Sequence, residues 1–499
     1  MRWNLVVDVT QGLQLRKEPD LSRKRTIPLI AGLAAAGALM LTVAVGAAGD
    51  FGSGVEHDLE AKSMQLFGIN EALDASSSAS ITMAEASADP LKLVTLSKHL
   101  SARVVTKTAA PNVDMMALWP NDTNPEWIIA CNEEDTGDPA LQRIKISDGT
   151  VETILTGADS CDPAHRTPWG TILFGEEAGG GASGGRVYEL INPILTTGVT
   201  LNRATGVFAG GTGAGNFAVR AALGRTSYEG VGILPNGIVY YGDEARPSNG
   251  NPGGAYFKFI PATLRALNAG PITNLTQSPL VSGSVYGLRL GKRGTAPGTD
   301  YGQGSNTGLG SWILLGTTPD LDLTALTSTL KLTGYYRPED LQLDLVALAA
   351  GNVKLVAVNT GNEFVDHNWG EALSLTDGTL AQAATNAATP EVQVFVAGTL
   401  QQAMMDNVAY QPGRGNWILQ EDGDGADFTP PRNNDLWDCL PDGMDDDDQS
   451  DGCIRIATLN DLNAEWTGGT FDASGKRFFV SLQHNVSGSG VVLEITGWK

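Results

Sequence analysis

Six short runs of one form recur along the chain, and they constrain its fold more than any other feature. They are EWIIACNEE (Glu126–Glu134), GTILFGEE (Gly170–Glu177), GIVYYGDE (Gly237–Glu244), NVKLVAVNT (Asn352–Thr360), GNWILQED (Gly415–Asp422) and KRFFVSLQH (Lys476–His484). Each opens on Gly, Asn or a charged residue, passes through three to five apolar residues, and ends in a polar or acidic cluster. SWILLGT (Ser311–Thr317) is a seventh run without the acidic end. Apolar runs this short, bounded by turn-forming residues, read as strands. They recur every 40 to 75 residues, roughly, which suits four-stranded blades with variable loops and is too uneven for a WD40-type repeat. Frequent glycine, 61 of 499 residues, supplies the turns. The expectation is an all-β chain folded as a β-propeller, with six blades and long inter-strand loops. Helical signal is sparse; Asp320–Leu332 and Thr379–Ala388 can each hold a short helix.

In a propeller one strand of each blade lines the central channel. If these runs are the channel strands, Glu176, Glu177, Asp243, Glu244, Glu421, Asp422 and His484 converge on one face. The alternative is that each acidic pair merely caps its own strand in solvent. Converged carboxylates repel, and are tolerable when protonated or bound to cations. An Asp/Glu cluster with five histidines in the whole chain and no HExxH pattern favours Ca²⁺, Mg²⁺, Mn²⁺ or Fe³⁺ over zinc. A net charge of −23 sets aside nucleic acid and anionic membrane surfaces as partners.

Residues 1–49 read as an export signal: Arg23, Lys24 and Arg25 precede an uncharged Ala-, Gly- and Leu-rich segment ending in VGAAG, with cleavage near Ala47 or Ala48. The same segment is long enough to span a bilayer, so a retained anchor is the alternative. Ser22–Arg25 is a loose relative of a twin-arginine signal. Residues 50–95 read as linker and lead-in, and 96–499 as the propeller. Four cysteines after an export signal fit two disulfides. Cys439 and Cys453 bracket a short loop, and Cys131 with Cys161 is the natural second pair. The loop between Cys439 and Cys453, and Glu421–Asp424, resemble calcium loops in composition but not in EF-hand spacing.

Five stretches, in order, resemble the PhoX-type alkaline phosphatase family. Cys161 followed by TPWGTILFGEE is similar to its Cys, TPWGT and EE motif. Gly224–Gly230, GRTSYEG, resembles GR-x-x-HE. YYGDE (Tyr240–Glu244) with YFKF (Tyr256–Phe259) resembles Y-x-GDD…YKF. Arg337–Asp340 resembles RPED, and Glu465–Gly468 with Phe479–His484 resembles E-x-TG…F-V-x-x-QH. The resemblance implies an exported propeller that holds calcium and ferric iron in its channel and hydrolyses phosphomonoesters. Carried over by motif, Cys161 and Glu229 would ligate iron. Glu177 and Glu339 would bind calcium, with Glu176, Asp243, Glu244 and His484 as further metal-ligand candidates. Arg337 and Glu229 would be catalytic, with Arg337 facing the phosphate of a small ester substrate.

Three departures bear on this. Tyr228 stands at the His of HE, Asp243-Glu244 stand at GDD, and Asp162-Pro163 lengthen the gap from Cys161 to Trp169. A Cys161 joined to Cys131 is no thiolate ligand, which would leave calcium alone. Arg337 could also pair only with Glu339 or Asp340 across its turn. Two other readings stay open: a non-catalytic, calcium-stabilised surface propeller acting as a binding module, and a lactonase-type calcium propeller. No G-x-S-x-G elbow stands out, so metal-centred hydrolysis is more natural than a covalent route.

Overall fold

The computed structural model describes residues 58–248, 252–291, 306–362, 368–443 and 447–499. The expected leader 1–49, His57 and His367 lie outside them. The regular structure of the described residues is mainly antiparallel strands, with a few short helices, arranged as a β-propeller. The first two strands of each meander position the site. They are β1 (Val113–Trp119), β2 (Trp127–Asn132), β3 (Cys161–Arg166), β4 (Ile172–Glu176), β5 (Val231–Ile233), β6 (Val239–Tyr241), β7 (Pro338–Leu343), β8 (Asn352–Asn359), β9 (Met405–Tyr410), β10 (Trp417–Glu421), β11 (Glu465–Phe471) and β12 (Arg477–Gln483).

The odd-numbered strands are innermost. β11 packs on β1, β1 on β3, β5 on β7, β7 on β9, and β9 on β11. The strands form five sheets among the described residues, because the β5 and β7 meanders merge into one nine-stranded sheet through an edge pairing of Gly308–Gly316 with Glu391–Ala397. The circle is closed by early strands that complete late sheets. Ser101–Ala109 pairs with Gly490–Thr496, and Val94–Leu96 with Cys453–Leu459. Such closure leaves few free strand edges.

The recurring sequence runs are the even-numbered strands, the second of each meander and not the channel-lining first. Their continuous apolar bodies are buried on both faces between neighbouring meanders, which is why they stand out in the sequence. The β4 run is held by its TPWGT lead-in. Trp169 Nε1 and Thr171 Oγ1 each donate to Glu189 Oε1 at 2.6 Å, and Arg220 Nε donates to Glu189 Oε2 at 2.6 Å. The two expected helices form as Leu323–Thr329, capped by Asp322, and Leu380–Ala384, capped by Thr379. Part of the stretch read as linker is packed: Phe67, Ile69, Ala86 and Leu93 are buried against Ile456, Trp466 and their neighbours. Among the described residues no helix is long and apolar enough to cross a membrane.

The β5 and β7 meanders share a buried ion pair. Lys258 Nζ donates to Asp377 Oδ2 at 2.8 Å, and the same carboxylate accepts from Tyr240 Oη at 2.6 Å and Trp312 Nε1 at 3.0 Å. Both charged side chains are fully buried. Asp377→Ala leaves Lys258 charged and unpaired in a dry interior, so we expect a loss of about 3–5 kcal/mol in chemical denaturation. Retention of wild-type stability would show that water reaches this pair.

Candidate metal centre

The innermost strands begin, and the second strands end, on the same face, because the two run antiparallel. Val113 faces Asn132, Cys161 faces Glu176, Met405 faces Glu421, and Glu465 faces Gln483. Four of the meanders therefore deliver acid to the channel mouth twice, and the other two deliver it once. The first set comes from the starts of the odd strands: Asp114, Asp162, Glu339 and Asp406 at second positions, Glu465 at a first position, and Glu229 just ahead of β5. The second set follows the even strands: Glu133, Glu177, Glu244, Asp422 and His484. At the end of β8 stands Thr360, whose Oγ1 donates to Glu339 Oε1 at 2.6 Å and Asp406 Oδ1 at 3.1 Å.

With Asp424, eleven carboxylates line a cavity of about 670 Å³, against Arg246, Arg337 and His484. Carboxylate oxygens of Glu177, Glu229 and Glu244 all lie within 4.8 Å of one another. Burial is the first cause that lifts the carboxyls of Glu177, Glu229, Asp406, Glu465 and Asp114 well above the usual range, and neighbouring carboxylates add to it. Burial lifts Glu339 as well, with Arg337 opposing. Asp162 is pushed up to about 7, chiefly by burial. Such a mouth is stable only with shared protons or bound cations.

Strand alternation splits the acidic pairs Glu176-Glu177, Asp243-Glu244 and Glu421-Asp422. In these the second member faces the cavity and the first turns behind its wall, whereas in Glu133-Glu134 the first member faces it. Glu176 is one correction: its carboxylate accepts from Arg203 Nε at 2.7 Å and Tyr188 Oη at 2.9 Å and does not line the mouth. Asp243 is another; it is buried behind the wall and accepts from Ser227 N at 3.2 Å. Glu421 likewise accepts from Arg432 Nη1 at 2.6 Å. Cys161, read either as an iron ligand or as the partner of Cys131, is that partner. It is bonded to Cys131, so its sulfur is no thiolate ligand, and both sulfurs lie in an apolar core with Ile129, Leu141 and Phe174. The second disulfide is Cys439–Cys453. Tyr228, in the place of the motif histidine, is also turned inward and donates to Leu223 O.

Glu177, Glu229, Glu244, Glu339, Arg337 and His484 are brought together as expected residues of one site. Arg337 Nε lies 2.5 Å from Glu244 Oε1 and 3.1 Å from Glu339 Oε1, and Nη2 lies 3.8 Å from Asp422 Oδ2. Burial works against its charge, but Glu339 and Glu244 outweigh it and hold the guanidinium protonated. His484 Nδ1 lies 3.1 Å from Glu465 Oε1. Both Arg337 and His484 hold a left-handed backbone, at φ 58° and 53°, a strained setting for such residues that clusters at functional sites. Asp114, Glu133, Asp162, Asp406 and Glu465 were not expected as ligands, whereas Asp424 lay in the expected calcium-like loop. A usable signal was present: V-D, C-D, P-E and M-D open four of the innermost strands.

The other end of the channel is different. There Leu118, Ile233, Leu343 and Phe471, with Arg166 and Gln342, help to line a less acidic, mixed cavity of about 560 Å³. His165 faces it, accepts from Val231 N at 3.4 Å, and is lowered to about 4 by burial.

No family model matches the sequence, and no curated protein matches it. Among solved structures the chain is similar to Pseudomonas fluorescens PhoX in complex with vanadate, a transition state analogue. The TM-score is 0.57 at 15% identity, covering 85% of this chain and 97% of that one. This likeness shows the propeller fold. Weaker likenesses are to the PQQ-bound aldose sugar dehydrogenase of Streptomyces coelicolor (TM-score 0.41, 11% identity, 79% and 98% covered) and the soluble aldose sugar dehydrogenase of Escherichia coli in the apo form (0.35, 11%, 80% and 99%).

Proposed function

We propose that the chain is an exported, calcium-dependent phosphomonoesterase acting on small phosphate esters at the acidic mouth of its propeller. The observation that carries this reading is Arg337, a half-buried guanidinium set among carboxylates that can hold cations. A cradle for hard cations with one planar anion-binding group inside it is the combination that phosphoryl transfer needs. The ordered motifs and the fold shared with a vanadate-bound phosphatase support the same reading. Two disulfides and the signal-like leader support export.

Calcium suits the residues present. The donors are carboxylate oxygens, and Asp162 Oδ2 is buried there without a hydrogen-bond partner among the described residues. Glu177, Glu229, Glu244 and Glu339 would hold it. When bound, it supplies the positive charge that admits a phosphate dianion and spreads over its oxygens. Arg337 orients the phosphate with two parallel N–H donors. His484, with Nδ1 on Glu465, can take a proton from the attacking water at Nε2. Thr360 holds the Glu339 and Asp406 carboxylates in place, and Glu465 orients His484. Iron ligated by Cys161 does not suit this chain, because that sulfur is in a disulfide; no step runs through it.

The disulfide also favours a second reading, a calcium-stabilised binding module without turnover. The deciding experiment is hydrolysis of a chromogenic phosphomonoester by protein from an export-competent host. Turnover that needs calcium and stops on chelation supports the phosphatase. Calcium binding without turnover supports the binding module, and hydrolysis of a lactone instead supports the lactonase reading.

A further inference from the structure

Cys161 and Asp162 are adjacent on β3, and alternation sends them to opposite sides. Cys161 stands across from Glu176, which also turns behind the wall, and it is tied to Cys131 within an apolar core. Asp162 lines the acidic cavity at 3% exposure. Its carboxyl meets that of Glu229 within hydrogen-bonding reach, and Glu229 belongs to the close trio with Glu177 and Glu244. Its Oδ2 has no hydrogen-bond partner among the described residues. A buried, unpartnered carboxylate oxygen costs free energy unless a cation meets it.

We propose that β3 gives the centre a hard ligand, Asp162, in place of a thiolate, so that the mouth is an all-carboxylate site selective for hard cations such as calcium. The inference rests on the mouth being a metal centre, as proposed above. Thiolate selects soft and borderline metals, whereas carboxylate selects hard ones. The disulfide keeps Cys161 on the core side, and opening it would not turn the thiol toward the cavity.

The test uses the full chain, exported and oxidised, stripped with chelator and dialysed in parallel against calcium chloride and ferric citrate. Calcium affinity is measured by titration calorimetry, metal content by elemental analysis, and iron–thiolate bonding by visible absorption. Wild type is expected to bind calcium and show no thiolate-to-iron absorption. Asp162→Asn should bind calcium at least about tenfold more weakly. Its chelated form should melt no lower than wild type, since one buried like charge is gone; this separates a lost ligand from a damaged fold. Cys131→Ser frees the Cys161 thiol and should still show no thiolate–iron absorption. Calcium affinity unchanged in Asp162→Asn would overturn the proposal. So would a thiolate–iron band in wild type or in Cys131→Ser. Should Cys131→Ser fail to fold, the other two proteins decide. If wild type binds neither cation, the metal-centre reading itself fails, a result distinct from these.

Discussion

Arg337→Ala is expected to lower kcat/KM on a chromogenic phosphomonoester by about 10²- to 10³-fold at saturating calcium. That is the usual cost of removing one donor aimed at developing negative charge, about 2.7–4 kcal/mol. The size follows from the setting. Arg337 sits where Glu244, Glu339 and Asp422 approach it, so its charge is positioned before substrate arrives. Arg337→Lys should recover little, because an ammonium cannot present two parallel donors to a phosphate. Inhibition by vanadate should weaken together with kcat/KM, since both depend on the same oxyanion contact. Wild-type kinetics in Arg337→Ala would assign the residue to the bridge across its own turn and leave the phosphate without a partner. The chelated variant should also melt lower than chelated wild type, because a cation has been taken from among like charges. Calcium should offset most of that loss, and kinetics are therefore compared with calcium present.

The propeller was legible because its second strands, buried on both faces, are unbroken apolar runs with turn residues at each end. Their acidic ends pointed to the correct face, although they are not the innermost strands. The innermost strands were hidden. VGI is too short to register, and CDPAHR and EWTGGTF mix polar, small and bulky residues because one face meets the channel. Six ring carboxylates begin at or beside those strands, and only Glu229 and Glu339, which fall in recognisable motifs, were anticipated. The acidic pairs were read as units, yet a strand sends neighbours to opposite sides, so Glu176 and Asp243 were expected where only Glu177 and Glu244 arrive. Cys161 could not be placed from spacing alone. Its side follows from its register with Glu176, a property of the sheet that a single sequence does not display. The packing of residues 58–95 was obscured for another reason: Phe67, Ile69, Ala86 and Leu93 are isolated apolar residues in a polar stretch, with no period to mark them.

Calcium removal should have the second large effect, and it should depend on pH with a definite sign. A ligand that binds only the folded state stabilises it by about 2.7 kcal/mol per site at a hundredfold excess over Kd. Chelation should therefore lower the melting temperature, and turnover should vanish with it. In the chelated protein the mouth carboxyls have folded values above their unfolded ones. Asp162 is the clearest, about 7 against an ordinary 3.8. A carboxyl raised in the folded state holds its proton more tightly there than in the unfolded chain. Below about pH 4 both states are protonated and nothing is lost. Between about 4 and 7 the unfolded chain has released its proton while the folded one keeps it, so stability falls as pH rises. Chelated protein should accordingly melt highest near pH 4–5 and progressively lower toward pH 8. Calcium takes the place of the protons, and its binding strengthens as the carboxyls ionise, so the calcium-loaded protein should show no such fall over the same range. Paired melting curves with chelator and with calcium check this directly. A chelated protein that grows more stable from pH 5 to pH 8 would mean that the arginines at the mouth already neutralise its carboxylates and that no cation is needed there.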